Sequence, residues 1–174
     1  MDVVSAGGAR FTVGRAVRED VAALVDLLRD DPLGARRESG DDLTPYLAAF
    51  ERIDTDPNQL LAVARDADGT VVGTLQLTFI ASLSRGGALR MQVEAVRVAA
   101  PVRSLGLGAA LFHWAHATGV SRGAVLSQLT TDRSRVDAHR FYERLGYEAT
   151  HSGLKRPLWP PPPIHAPAGV ESRE

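Results

Sequence analysis

Arg103, Gly106 and Gly108 stand in the spacing R-x-x-G-x-G within "VRVAAPVRSLGLGAALFHWA", residues 96–115. The stretch opens with alternating apolar residues and closes at helical spacing, so the glycines fall in a strand-to-helix turn. A helix N-terminus presents unpaired N–H groups and a partial positive charge, and a turn stripped of side chains lets a phosphate reach them. The same glycines would equally serve a tight connection that needs only their backbone freedom. Two phosphate-binding rivals fail on the letters. A P-loop requires Lys-Ser/Thr after its last glycine, and "GLGAAL" has neither. A dinucleotide fingerprint requires a third glycine and an early strand of a parallel sheet, whereas this turn comes late in the chain.

Other residues offer chemistry with a plain alternative beside it. Glu94 is a carboxylate inside the otherwise apolar run "ALRMQVEAVRVAA". Buried at a cleft it would be a candidate base; at a sheet edge it would simply pair with Arg97 or Arg90. Tyr142, beside Phe141, could pack in the core with one hydrogen bond on its hydroxyl. His113 and His116 lie three apart on a helix, but no third ligand follows, and a solvated helix face accounts for them. No metal is expected. The chain has no cysteine, which removes disulfides, thiolate catalysis and cysteine metal sites together.

The elements that must position these groups follow from periodicity. "RFTVGRAV" (10–17) has strand character, and "REDVAALVDLLRD" places Val21, Leu24, Val25 and Leu28 on one helical face. A second helix is expected through "LTPYLAAFERI", with Pro45 tolerated near its start. "QLLAVARDADGTVVGTLQLTFIAS" reads as two strands joined at "DADG", followed by a turn at "SRGG" and the strand run 88–100. A helix over about 105–118, a short strand in 123–131 and a helix over 135–147 ended by Gly146 come next. "EATHSGLKRPL" could add a last strand or two. This order predicts an α/β fold: a twisted, mostly antiparallel mixed sheet with one parallel strand–helix–strand crossover and helices on both faces.

Composition bounds the rest. The 174 residues suit one domain, expected over 10–158, with 1–9 a flexible, Gly-rich lead-in and the Pro-rich 159–174 a flexible tail. Twenty basic against twenty-one acidic residues leave a net charge of −1, so no basic field favours nucleic acid. No signal-peptide pattern opens the chain and no apolar run approaches the roughly 20 residues of a membrane helix. A cytoplasmic location without nucleic-acid or membrane partners is expected.

"VRVAAPVRSLGLG" resembles the strand and pyrophosphate loop, Q/R-x-x-G-x-G/A, of the GNAT superfamily of acetyl-CoA-dependent N-acetyltransferases. "DAHRFYERLGY" is similar to its second signature, A-x-x-F-Y-x-x-x-G-Y/F on a helix. The two are correctly ordered and one strand apart. The resemblance covers about residues 10–156 and is clearest over 88–150.

It implies the following roles. The backbone of Val96, Arg97 and Val98 pairs with the pantetheine arm, and an N–H near Val96 or Val98 polarises the thioester carbonyl. The amides of Arg103, Ser104, Leu105, Gly106, Leu107, Gly108 and Ala109 hold the pyrophosphate. Tyr142 protonates the departing thiolate, and Glu94 accepts the amine's proton through water. Ser104 replaces a frequent glycine, Pro101 lies one place later than usual, and Arg135 stands where an asparagine often binds pantetheine, so Arg135 or Asp137 must substitute. Asp30, Asp31, Glu38, Asp41 and Asp42 fall in the segment that lines the acceptor pocket and could attract a cationic amine; His151 could border it. The implied reaction is direct transfer from acetyl-CoA to a small-molecule amine, aminoalkylphosphonates being one class that such relatives use. The alternative is a catalytically silent acyl-CoA sensor, and a homodimer is possible in either case.

Overall fold

Strands with alternating apolar residues account for the centre of the molecule. The computed structural model describes residues 1–30, Glu38 and residues 42–158. Six strands, β1 (Asp2–Ala6), β2 (Ala9–Arg15), β3 (Gln59–Arg65), β4 (Val71–Ala81), β5 (Leu89–Val98) and β6 (Ala124–Leu129), form one sheet in chain order. Every neighbouring pair is antiparallel except β5 and β6, which are parallel. The helices are α1 (Val21–Arg29), α2 (Thr44–Thr55), α3 (Leu107–Ser121) and α4 (Val136–Arg144). The mixed α/β architecture is the one the periodicity predicts, and α3 is the parallel crossover.

Strand β3 shows how the layers are sorted. Leu60, Ala62 and Ala64 point into a core shared with Leu107, Leu111, Phe112 and Ala115 of α3. Val63 points the other way, into a second core with Val21, Leu24 and Val25 of α1 and Phe50 of α2. Helices therefore cover both faces. The buried carboxylate of Asp20 anchors the start of α1: it accepts the Val17 N–H at 2.9 Å and pairs with Arg65 on β3. "SRGG" is a single turn in which Arg85 and Gly86 take left-handed angles. Among the described residues no helix is long and apolar enough to cross a membrane.

Two expectations are corrected. Residues 1–9 are not a frayed lead-in: Asp2–Ala6 pairs with β2, and Gly7 and Gly8 (φ 56° and 80°) make the two-residue hairpin turn between Ala6 and Ala9. Ala6 is buried and the indole N–H of Trp114 donates to Asp2 at 2.6 Å, so the hairpin is tied to α3. At the other end, residues 148–158 hold no strand or helix. Gly153, Pro157 and a run of exposed side chains leave that segment without the alternation a paired strand needs. The expected Pro-rich tail, with Trp159, lies outside the described residues.

Candidate active site

Strand β5 is broken in the middle by its own backbone. Gln76 of β4 pairs with Glu94 and Thr74 with Arg97, so Ala95 and Val96 together oppose the single residue Leu75. The extra residue is a β-bulge, with Ala95 at φ 53°, where an L-residue rarely sits. On its other side β5 pairs with β6 only as far as Val93 and Leu129. Beyond that rung the two strands part, and β5 runs on to Val98 beside a gap in the sheet. A small cavity of about 60 Å³ occupies it, lined by Glu94, Ala95, Val96 and Arg97 of β5, by Thr130, Thr131 and Arg135 after β6, and by Phe112 and Tyr142.

The cavity joins the two faces of the sheet. Val96 and Val98 pack on the α3 side. Glu94 and Arg97 sit in register with Gln76 and Thr74, and Thr74 with Val63, which places them on the α1–α2 side. Tyr142 reaches the gap from the α3–α4 side. Its half-buried ring rests edge-on against Phe112 and Phe141, with centroids 5.6 and 5.4 Å away. Burial raises the Tyr142 phenol above its ordinary value, while the guanidinium groups of Arg135 and Arg97 pull against that rise. Glu94 is exposed at the opposite lip rather than buried.

The glycine turn builds a second, larger groove beside the first. Ser104 and Gly106 take φ 71° and 88°, and the first i→i−4 bond of the helix runs from Ala110 N–H to the Gly106 carbonyl at 3.1 Å. The amides of Gly106, Leu107, Gly108 and Ala109 precede that bond and have no intrahelical acceptor. They border a groove of about 530 Å³, walled by Val98, Val102, Phe141, Arg144 and Leu145. A methyl group at Gly108 would meet Phe141 at an ordinary 3.5 Å, which agrees with the Gly/Ala choice at that place in the motif. Open donors, a helix dipole and an arginine suit a diphosphate, so the residues present fit the phosphate end of coenzyme A.

Several expected residues are held differently. The amides of Arg103 and Leu105 are spent inside the turn, on Ala100 and Val102. The Leu105 side chain packs against Gly7 of the β1–β2 turn, 3.0 Å from where a Cβ would stand. Arg103 donates to the Val98 carbonyl at 2.9 Å and pairs with Asp30 at 2.6 Å, which removes Asp30 from the acidic set that could meet an amine. Arg97 donates to the Val96 carbonyl at 2.8 Å, so each of these strand carbonyls keeps one lone pair for a ligand. Glu38 accepts the Tyr46 hydroxyl at 2.7 Å and Asp42 accepts the Thr44 N–H at 2.9 Å. Asp31 and Asp41 lie outside the described residues. Asp137 is fully exposed near Arg140 and lines neither cavity, whereas Arg135 lines the gap. His151 bonds its neighbour Thr150 and lines neither cavity. His116, pushed down by burial, bonds the Tyr147 hydroxyl at 2.9 Å, and Tyr147 in turn meets Ser127 at 2.6 Å. Among the described residues no three metal-ligating side chains converge.

The β1–β2 turn that backs Leu105 and the polar face around Gln92 escape a reading of the chain alone. The first was hidden because glycines mark both turns and frayed ends. The second depends on strand register; its only trace in the sequence is the polar residue at every second place in "TLQLT" and "RMQVE".

Comparison with known proteins agrees with this geometry. Residues 21–147 match the Acetyltransferase (GNAT) family. The aminoalkylphosphonate N-acetyltransferase of Salmonella typhimurium strain LT2 is 34% identical over 103 residues, which make up 59% of this chain and 66% of that relative. A crystal structure of a transcriptional regulator from Bacillus halodurans C-125 superimposes with a TM-score of 0.81 at 40% identity, over 85% of this chain and 99% of the other. Glucosamine-6-phosphate N-acetyltransferase from Arabidopsis thaliana shares the fold at 17% identity, with a TM-score of 0.71 over 85% and 98% of the two chains. A parted sheet, a bulged strand and a bare helix N-terminus, together with a family match over most of the length, make this chain a member of the GNAT family of acetyltransferases.

Proposed function

We propose that the protein transfers an acetyl group from acetyl-CoA to the primary amine of a small molecule by direct attack in a ternary complex. The observation that carries the reading is the gap between β5 and β6. It is reached by Tyr142 from one face and by Glu94 from the other, and it opens next to the amides of Gly106–Ala109. Coenzyme A would supply an activated acetyl thioester. The helix amides hold its diphosphate, and the carbonyls and N–H groups of Val96–Val98 align its arm along β5. A β5 N–H at the bulge faces the charge that develops on the carbonyl oxygen. Glu94, exposed at the acceptor lip, takes the ammonium proton through water and so keeps the amine nucleophilic. Tyr142 donates its proton to the departing sulfur, and burial keeps that proton in place at neutral pH. With no cysteine to carry an acyl group, much of the rate comes from holding the two reactants together.

A panel of small amines, aminoalkylphosphonates included, assayed with a thiol reagent tests this. Free thiol should appear only when a suitable amine is added. Glu94→Gln should lower turnover by about 10²-fold, the usual weight of a general base, with coenzyme A affinity nearly unchanged. Equal losses in both would make Glu94 structural. The second reading, a silent acyl-CoA-binding regulatory module, is favoured by the 40%-identical relative from Bacillus halodurans, a transcriptional regulator. It predicts coenzyme A binding with no amine-dependent thiol.

A further inference from the structure

Strand register lines up one residue from each of four strands on the α1–α2 side of the sheet. Gln59 pairs with Thr78, Thr78 with Gln92, and Gln92 with Gln128. The next rung holds Gln76 and Glu94, and the one beyond it Thr74 and Arg97. The apolar cover from α1 and α2 gathers at Val63 and Leu61, so the polar rung lies past it, half-buried. This is an unusual use of central strands, whose other face is packed with Leu75, Leu77, Met91 and Val93.

The rung is already ordered. Gln59 Oε1 accepts from Gln76 Nε2 and from the Thr78 hydroxyl, both at 2.9 Å, and Gln92 Oε1 accepts from Gln128 Nε2 at 2.6 Å. The last bond ties β5 to β6 one rung below the point where they part. Each carboxamide uses one end in these bonds. The amide N–H₂ of Gln92 and of Gln59, and the carbonyls of Gln76 and Gln128, have no protein partner among the described residues. The surface therefore offers donors and acceptors side by side, uncharged and pre-aligned. A hydroxyl group, which both donates and accepts, satisfies such a surface better than a methyl or an anion does.

Building on the acetyltransferase reading above, we propose that this rung is the acceptor-recognition site and that it selects amines bearing a hydroxyl group. Gln92 stands two residues along β5 from Glu94, roughly 7 Å away, and Gln128 lies beside it on β6. That is the reach of an extended four-carbon chain with an amine at one end and a hydroxyl at the other. The amine lies at Glu94 facing the gap, and the hydroxyl lies on the glutamines.

Two measurements decide it. In the thiol assay, aminobutanol with its two groups at opposite ends should exceed the isosteric pentylamine by roughly tenfold in kcat/KM. Gln92→Met and Gln128→Met should each bring that ratio close to one. A ratio near one in the unaltered protein overturns the proposal. So does an aminopropylphosphonate preference above tenfold that survives Gln92→Met, which would assign the acceptor's tail to Arg97 and Arg135. Independently of turnover, the side-chain amide NMR signals of Gln92 and Gln128 in the coenzyme A-saturated protein should shift with aminobutanol and stay put with pentylamine. Absence of that shift overturns the proposal even if some amine is acetylated. Shifts without thiol release from any amine would leave the site standing and sink the acetyltransferase reading instead.

Discussion

Tyr142 and Glu94 approach the same gap from opposite faces, and their removal should leave different signatures. Tyr142→Phe keeps the ring contacts with Phe112 and Phe141 and deletes only the hydroxyl proposed as the proton donor. Turnover should fall by about 10²-fold while coenzyme A binding, read by calorimetry, stays the same. The pH profile carries the sign. A phenol raised by burial remains protonated through neutrality, so the alkaline fall in kcat should lie above pH 10, the ordinary value, and should vanish in the Phe variant. A fall centred well below that pH, or one that persists without the hydroxyl, assigns the acid elsewhere. The letters single out Tyr142 within a signature and Glu94 as a lone carboxylate in an apolar run. What the letters could not give is their relation across the sheet, because it depends on the bulge at Ala95, and nothing in "EAV" announces a left-handed alanine.

At the scale of elements, the β1–β2 hairpin backs the glycine turn at residues 103–109 through Gly7 and Leu105. A methyl on Gly7 would lie 3.0 Å from Leu105 Cβ and 3.1 Å from its carbonyl oxygen, while a methyl on Gly8 would meet nothing within 4 Å. Both glycines have positive φ, so alanine at either should cost about 1–2 kcal/mol of stability by denaturant titration. Only Gly7→Ala should also displace the loop and weaken coenzyme A binding, by roughly fivefold or more. Equal affinity in the two variants would remove the hairpin from the site. Helix α3 was readable from the spacing of Leu107, Leu111 and Ala115, and its preceding turn from two glycines. The hairpin's role was not, since it arises from a contact between residues almost a hundred places apart. For the same reason the pairing of Arg103 with Asp30 was hidden, and an acidic residue that looked available to an amine is engaged with the loop.

For the whole molecule, two cores on opposite faces hold the sheet, and a histidine beside the larger one reports on it. His116 projects from α3, half-buried beside Phe112 and Tyr147, and burial, reinforced by His113, lowers its folded value below 6.5. The unfolded chain therefore takes up a proton that the folded one refuses. Stability should decline as pH falls below 6.5 and level off once His116 is protonated in the fold as well. Thermal unfolding from pH 7.5 to 5 should show this slope, and His116→Gln should flatten it. The proposed function stands on the turn at residues 103–109 as the site of the diphosphate. A backbone-amide NMR titration with coenzyme A tests it most directly: the signals of Gly106, Leu107, Gly108 and Ala109 should move together and saturate. Saturable binding that leaves those four amides unmoved, or no binding at all, would contradict the account.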